Sequence, residues 1–198
     1  MNYLAHIFLS GEDREVQLGN FIADAVKGST YKDYPEKICI GILLHREIDS
    51  FTDQHTIVKE LNDSMRPHFG RYSGILLDIY FDYLLASRFS KYSGIPLRKF
   101  TKKFYWTILW NHLYLPRRFK RFMWHFILTD RLSRYASING IRESLSIMVK
   151  YRHLNISVDE AVDYLVINED MLRSKFNSFF EELRKFIKSH PCYGIFLF

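Results

Sequence analysis

Apolar positions along this chain recur at intervals of three and four residues, the spacing of helices that bury one face. Ala161, Leu165 and Val166 follow that rule just after Ser157 and Glu160, whose types and separation form a capping box. Asp33, Pro35 and Glu36 read as a cap, a first-turn proline and a capping-box acid, opening a helix that runs to about Asp53. Pro116 likewise suits the first turn of a helix through about Leu132. Further helices are predicted near residues 2–9, 15–27, 55–65, 74–92, 97–112, 138–152 and 170–189. Sustained alternation bounded by turn residues is missing, so no sheet is predicted. The expectation is an all-α, single-domain helical bundle over residues 1–198, without internal repeats or flexible linkers. The tail from Cys192 to Phe198 is apolar and aperiodic, and no element is assigned to it.

Composition narrows the class without changing the fold. Hydrophobic residues make up 47% and charged residues 25%, a globular balance, and the 17% aromatic share supplies large side chains for core and clefts. Cys39 and Cys192 are far apart and form no CxxC pair, so neither a disulfide scaffold nor a zinc knuckle is indicated, which suits a reducing cytosol. The stretch MNYLAHIFLSGEDRE lacks a basic leader region and runs into acids, so it does not read as a signal peptide. No segment reaches the roughly 18 apolar residues of a membrane span. A cytoplasmic location with no membrane partner is therefore expected. Net charge is +6, unevenly spread: Tyr83 to Thr129 holds ten Lys or Arg and no Asp or Glu. That segment predicts a positive surface for an anionic macromolecule. Its aromatics Phe104, Tyr105, Trp106, Trp110 and Trp124 lie at helical spacing, as core residues do.

Candidate chemistry lies on three apolar helices. At about 100° per residue, His45, Arg46, Asp49 and Asp53 share one narrow arc whose neighbours are Ile38 and Ile42. Burying such groups is costly unless they are paired or bind a metal. An Arg46–Asp49 or His45–Asp49 pair on a solvated helix surface is the plainer alternative. GILLDIYFDYLL is apolar all round except for Asp78 and Asp82, one turn apart, which stay ionised only beside a cation or donors. Asn20 and Asp24 sit one turn apart in a third helix, and His6 lies inside the run LAHIFL, where a lone histidine also serves simply as core. Together these supply the imidazoles and carboxylates of a His/Asp centre for Mn, Fe or Zn, which suits phosphate-ester cleavage. Walker, GxGxxG, GxSxG and HExxH motifs are absent.

Five blocks in order, NYLAHIFLSG, GNFIADAVKG, GILLHREIDSFTDQH, RPHFGRYSGILLDIYFDYLLA and TDRLSRYASINGIRESLSIM, resemble those of bacterial acyl carrier protein phosphodiesterases. They span residues 2 to about 152, and 157–187 resembles the family's C-terminal region more loosely. The family is similar to the His/Asp-domain phosphohydrolases. The resemblance implies a helical enzyme that favours manganese, with Mg, Fe or Zn as alternatives, and hydrolyses the phosphodiester between a carrier serine and phosphopantetheine. It implies metal roles for Asp24, His45, Asp49 and Asp78 with His6 nearby, a phosphate contact at Arg46, and further catalytic carboxylates at Asp53 and Asp82. Where the family often has Asp-His, this chain has Asp82-Tyr83.

Two other classes fit parts of the pattern. A His/Asp phosphohydrolase acting on a nucleotide or another small phosphoester shares the metal site but does not need the basic segment. A non-catalytic binder of nucleic acid or a membrane surface would use the basic, aromatic-rich segment and the pI of 9.2. An acidic acyl carrier protein meeting the 83–129 segment accounts for both features, so it is the preferred partner over nucleic acid.

Overall fold

Periodicity that alternates between apolar and polar faces becomes helix along nearly the whole chain. The computed structural model describes residues 3–190; among them are eleven α-helices joined by short turns and no strand. In order these are α1 (Tyr3–Leu9), α2 (Arg14–Ile22), α3 (Glu36–Gln54), α4 (Thr56–Phe69), α5 (Ser73–Ser87), α6 (Leu97–Trp110), α7 (Arg117–Leu128), α8 (Arg131–Arg134), α9 (Ile138–Arg152), α10 (Val158–Ile167) and α11 (Glu169–Ser189). The all-α class is as the sequence predicts. Cys192 and the rest of the apolar tail lie outside the described residues.

The helix ends depart from expectation for local reasons. Helix α3 begins two residues later than a capping box would place it: Asp33 ends a 3₁₀ turn, Pro35 itself is the N-cap, and neither caps α3 with a side chain. The single helix expected near 15–27 stops at Ile22 and tightens into a 3₁₀ turn over Ala23–Ala25. The helix expected through Leu132 breaks after Leu128, because Asp130 adopts a left-handed conformation at φ 46° and starts α8 in a new direction. The helix expected to reach residue 92 ends at Ser87, where Arg173 donates to the Leu84 carbonyl and to Ser87 Oγ. Helix α4 runs past Pro67 to Phe69, although the proline cannot donate to the carbonyl of Asp63 one turn back. Ser157 does cap α10, accepting from the Glu160 amide.

The closest helix pair is α2 against α3. A Cβ placed on Gly19 would lie 2.1 Å from the Ile38 carbonyl oxygen, and one on Gly41 would lie 2.1 Å from the Val16 carbonyl oxygen. The two backbones touch, which only residues without a side chain allow. Asp13 reinforces this pair, capping the Glu15 and Val16 amides while its other oxygen meets Lys37 at 2.7 Å. Helix α1 lies buried against α2 and α5. An aromatic layer of Phe21, Phe104, Phe119 and Phe126 with Tyr3 packs α6 and α7 beside α1 and α2. Phe81, Phe176 and Phe179 seat α11 on α5. Each such ring, fully buried, contributes roughly 1.5–3 kcal/mol.

Helix propensity alone predicts that Gly41→Ala would stabilise α3 by about 1 kcal/mol. The crowded crossing predicts the opposite sign, a loss of about 1–3 kcal/mol or more in chemical denaturation. A stabilised variant would show that the backbones do not approach this closely.

Candidate metal centre

The α2–α3 crossing sets Asn20 next to Gly19 and His45 one turn beyond Gly41, and α1 lays His6 across them. The His6 and His45 rings stack, with centroids 4.1 Å apart and planes 23° from parallel. Both Nε2 atoms face Asp49: His45 Nε2 lies 3.0 Å from Oδ2, and His6 Nε2 lies 3.2 Å from Oδ1. Asp24 Oδ1 approaches His45 Nε2 from the other side at 3.4 Å. The 3₁₀ turn over Ala23–Ala25 is what swings Asp24 in.

Burial shapes the electrostatics. His6 is pushed down to about 4 by desolvation and by the neighbouring imidazole of His45. Desolvation also opposes charge on His45, but Asp24 and Asp49 override it and raise the ring to about 9. Asp49, although burial works against ionisation, is held well below the usual carboxylate range by the two imidazoles, and Asp24 is lowered by its bond to His45. Asp78 is raised by burial, with the like charges of Asp49 and Asp53 adding to it. Carboxylates gathered around two imidazoles form an anionic pocket suited to a divalent cation.

Donor chemistry and geometry agree with that use. One nitrogen each from His6 and His45 and a carboxylate oxygen of Asp49 lie within 4.8 Å of one another. His6 Nε2 is buried and lies 3.2 Å from Asp49 Oδ1, on the side where a shared ion would be held. Asp49 and Asp24 are partly open to solvent, so the centre can be reached from outside.

The other candidates have different surroundings. Arg46 turns away from the cluster: its guanidinium donates to the carbonyls of Val26 and Gly28 at 3.1 and 2.9 Å and lies over Tyr31. It ties down the segment that follows Asp24. Asp53 is exposed at the end of the α3 arc. Asp82 is fully buried and accepts from the Leu4 and Ala5 amides at 2.9 and 3.0 Å, capping α1 from a distant helix. Tyr83 donates to Glu169 on α11 at 3.0 Å, so a side chain at this position faces α11 and not the imidazoles. Sequence reasoning did not assign Asn20 to the centre, although it lies one turn before Asp24.

The 83–129 segment also brings a difference. Phe104 and Tyr105 are buried as expected, whereas Trp106, Trp110 and Trp124 are 59%, 78% and 57% exposed. They continue solvent-facing stripes that begin with Arg98 and Lys102 on α6 and with Arg117 and Arg121 on α7. No described helix is long and apolar enough to cross a membrane.

Fold and site thus define an all-α protein with a His/carboxylate centre built where three helices meet. The sequence model described as acyl carrier protein phosphodiesterase matches residues 1–183, and the chain belongs to that family of phosphoric diester hydrolases. Proteins named acyl carrier protein phosphodiesterase are similar to it in Klebsiella pneumoniae (strain 342), 30% identical over 93% of this chain and 96% of that one, and in Yersinia pestis, 32% identical over 77% and 79%. One from Escherichia coli O6:H1 is 29% identical over 92% and 95%. No solved structure matches the chain.

Asp82 offers a test of the architecture under the centre. Burial raises its carboxyl to about 7 against the pull of the two amides. A folded-state value above the unfolded one makes the folded protein bind the extra proton, so stability falls as pH rises from about 4 to about 7. Measured against Asp82→Asn, which cannot titrate, the unaltered protein should lose roughly 2–4 kcal/mol across that window and level off above it. A relative stability that climbed with pH would mean that the amides hold Asp82 ionised.

Proposed function

We propose that this protein is a metal-dependent phosphodiesterase that removes phosphopantetheine from holo acyl carrier protein and leaves the apo form. The observation that carries this reading is the convergence of His6, His45 and Asp49 on one point, with Asp24 and Asp78 beside it. The relatives' names supply the substrate class. In the reaction, water attacks phosphorus, the bond from phosphorus to the serine oxygen breaks, that oxygen takes up a proton, and phosphopantetheine leaves as the phosphomonoester. A divalent cation bound here, with Mn favoured and Mg, Fe or Zn as alternatives, would activate water and neutralise charge developing on the phosphoryl oxygens. His6, His45, Asp49 and Asp24 are the residues to hold it, and Asp78, which burial makes hard to ionise, would be kept ionised by the same charge. Arg46 positions the Asp24 turn, and Asp82 seats the helix that carries His6. Asp53 lies at the open end of the arc, where substrate would enter.

The acidic carrier would be met by α6 and α7, whose basic stripes run into exposed tryptophans. Charge steers the encounter and the indoles supply area that excludes water. The absence of acids in this segment and the three exposed indoles support the reading. We place the reaction in the cytoplasm, where carrier protein and reduced cysteines coexist.

Chelation should abolish release of the arm, read by intact-mass analysis of holo carrier protein, and Mn²⁺ should restore it; Asp49→Ala should weaken cation binding. Full turnover by metal-free protein would sink the mechanism. For the surface, replacing Lys102 and Arg121 by Glu should raise KM for holo carrier protein severalfold and leave cleavage of a small phosphodiester nearly unchanged, with salt sensitivity confined to the protein substrate. Equal sensitivity of the small diester would assign the basic residues to the centre itself. Tight, salt-dependent oligonucleotide binding without carrier turnover would favour nucleic acid.

A further inference from the structure

Between the imidazoles and helix α2 lies a fully buried amide, Asn20. Its Oδ1 is 2.9 Å from His6 Nδ1 and 3.0 Å from His45 Nδ1. Its Nδ2 donates to the His6 carbonyl at 3.0 Å and to Ser10 Oγ at 2.8 Å, while Ser10 Oγ donates to that same carbonyl at 2.8 Å. The His6 carbonyl can only accept, so the nitrogen end of the amide must face it. The oxygen end then faces both rings. A carbonyl oxygen can only accept too, so both Nδ1 atoms must be the donors. A neutral ring with its proton on Nδ1 presents a lone pair at Nε2, and both Nε2 atoms face the same carboxylate.

We infer that Asn20 is the positioning residue of the centre: one carbonyl oxygen orients two stacked imidazoles and commits both Nε2 atoms to one cation. The inference rests on the reading of this cluster as a metal centre. A ligating histidine is ordinarily oriented by a partner of its own on the second nitrogen. Here a single partner serves two rings, and the orientation of that partner is itself set by the backbone of the helix bearing one of them. Rotating either ring would break its bond to Oδ1 and leave a buried donor unpaired.

The test has two arms. In unaltered, metal-free protein at neutral pH, ¹H–¹⁵N correlation of the histidine rings should give His6 as the Nδ1–H tautomer; an Nε2–H tautomer overturns the inference. In the second arm, Mn²⁺ titration of Asn20→Ala should show affinity reduced about 10- to 100-fold. Asp13→Ala, which loosens the start of the same helix without touching either ring, should leave that affinity essentially as it was. Unchanged affinity in Asn20→Ala, or an equal loss in Asp13→Ala, would reduce Asn20 to a packing residue. Failure of the unaltered protein to bind any divalent cation would instead remove the metal reading itself, and this role with it.

Discussion

The contact between α2 and α3 at Gly19 and Gly41 is the constraint from which the centre follows. With no side chain between them, the two helices bring their backbones into touch, and residues one position or one turn away are carried within side-chain reach. Asn20 and His45 are such residues. Spread the crossing by even a methyl group and the 3.0 Å bond between them lengthens, and with it the alignment of His45 Nε2 to Asp49 and Asp24. Two glycines inside helices weaken each helix by itself; the fold tolerates that cost because the crossing places polar groups that no single helix could satisfy in an apolar interior.

Helix α5 shows how one element serves two ends through residues a turn apart. Asp78 feels the charge of Asp49, while Asp82 is occupied by the first-turn amides of α1. Those amides have no partner within their own helix, and α1, only seven residues long and buried, lacks the length to be stable by itself. Asp82 therefore holds in place the helix that carries His6. Next along the chain, Tyr83 turns to Glu169 and Arg173, and Arg173 in turn closes the end of α5. Tyr83, where the resemblance implies a histidine, thus falls on the contact between α5 and α11, away from the imidazoles.

How much of this could be read in the residues depends on what each one bonds to. The His45–Asp49 pair was legible because both partners lie on one helix at a spacing that fixes their relation, and the helices themselves were legible from apolar periodicity. Arg46 and Asp82 were not, because their partners are backbone carbonyls and amides of remote segments, which carry no side-chain signature. The Asp24 turn and the Asp130 break escaped for a related reason: a local change of backbone conformation is set by tertiary packing more than by propensity. Trp106, Trp110 and Trp124 have the spacing of core residues, and spacing cannot say which of two faces of a helix is covered.

Charge is divided between the centre and the surface in a way that bears on how an anionic substrate could arrive. Asp24 and Asp49 flank the imidazoles with negative charge, which by itself repels a phosphodiester. The α6 and α7 stripes are positive, free of acids, and packed beside α1 and α2 through Tyr3, Phe21, Phe119 and Phe126. Within the proposed reaction these opposite fields have separate tasks: the surface attracts the acidic protein over distances up to a Debye length of roughly 8–10 Å, and the cation reverses the sign of the centre only where the diester must sit. A small phosphoester would meet the second field without needing the first. In that proposal the positive stripes serve a macromolecular substrate, and the carboxylate cluster the chemistry done to it.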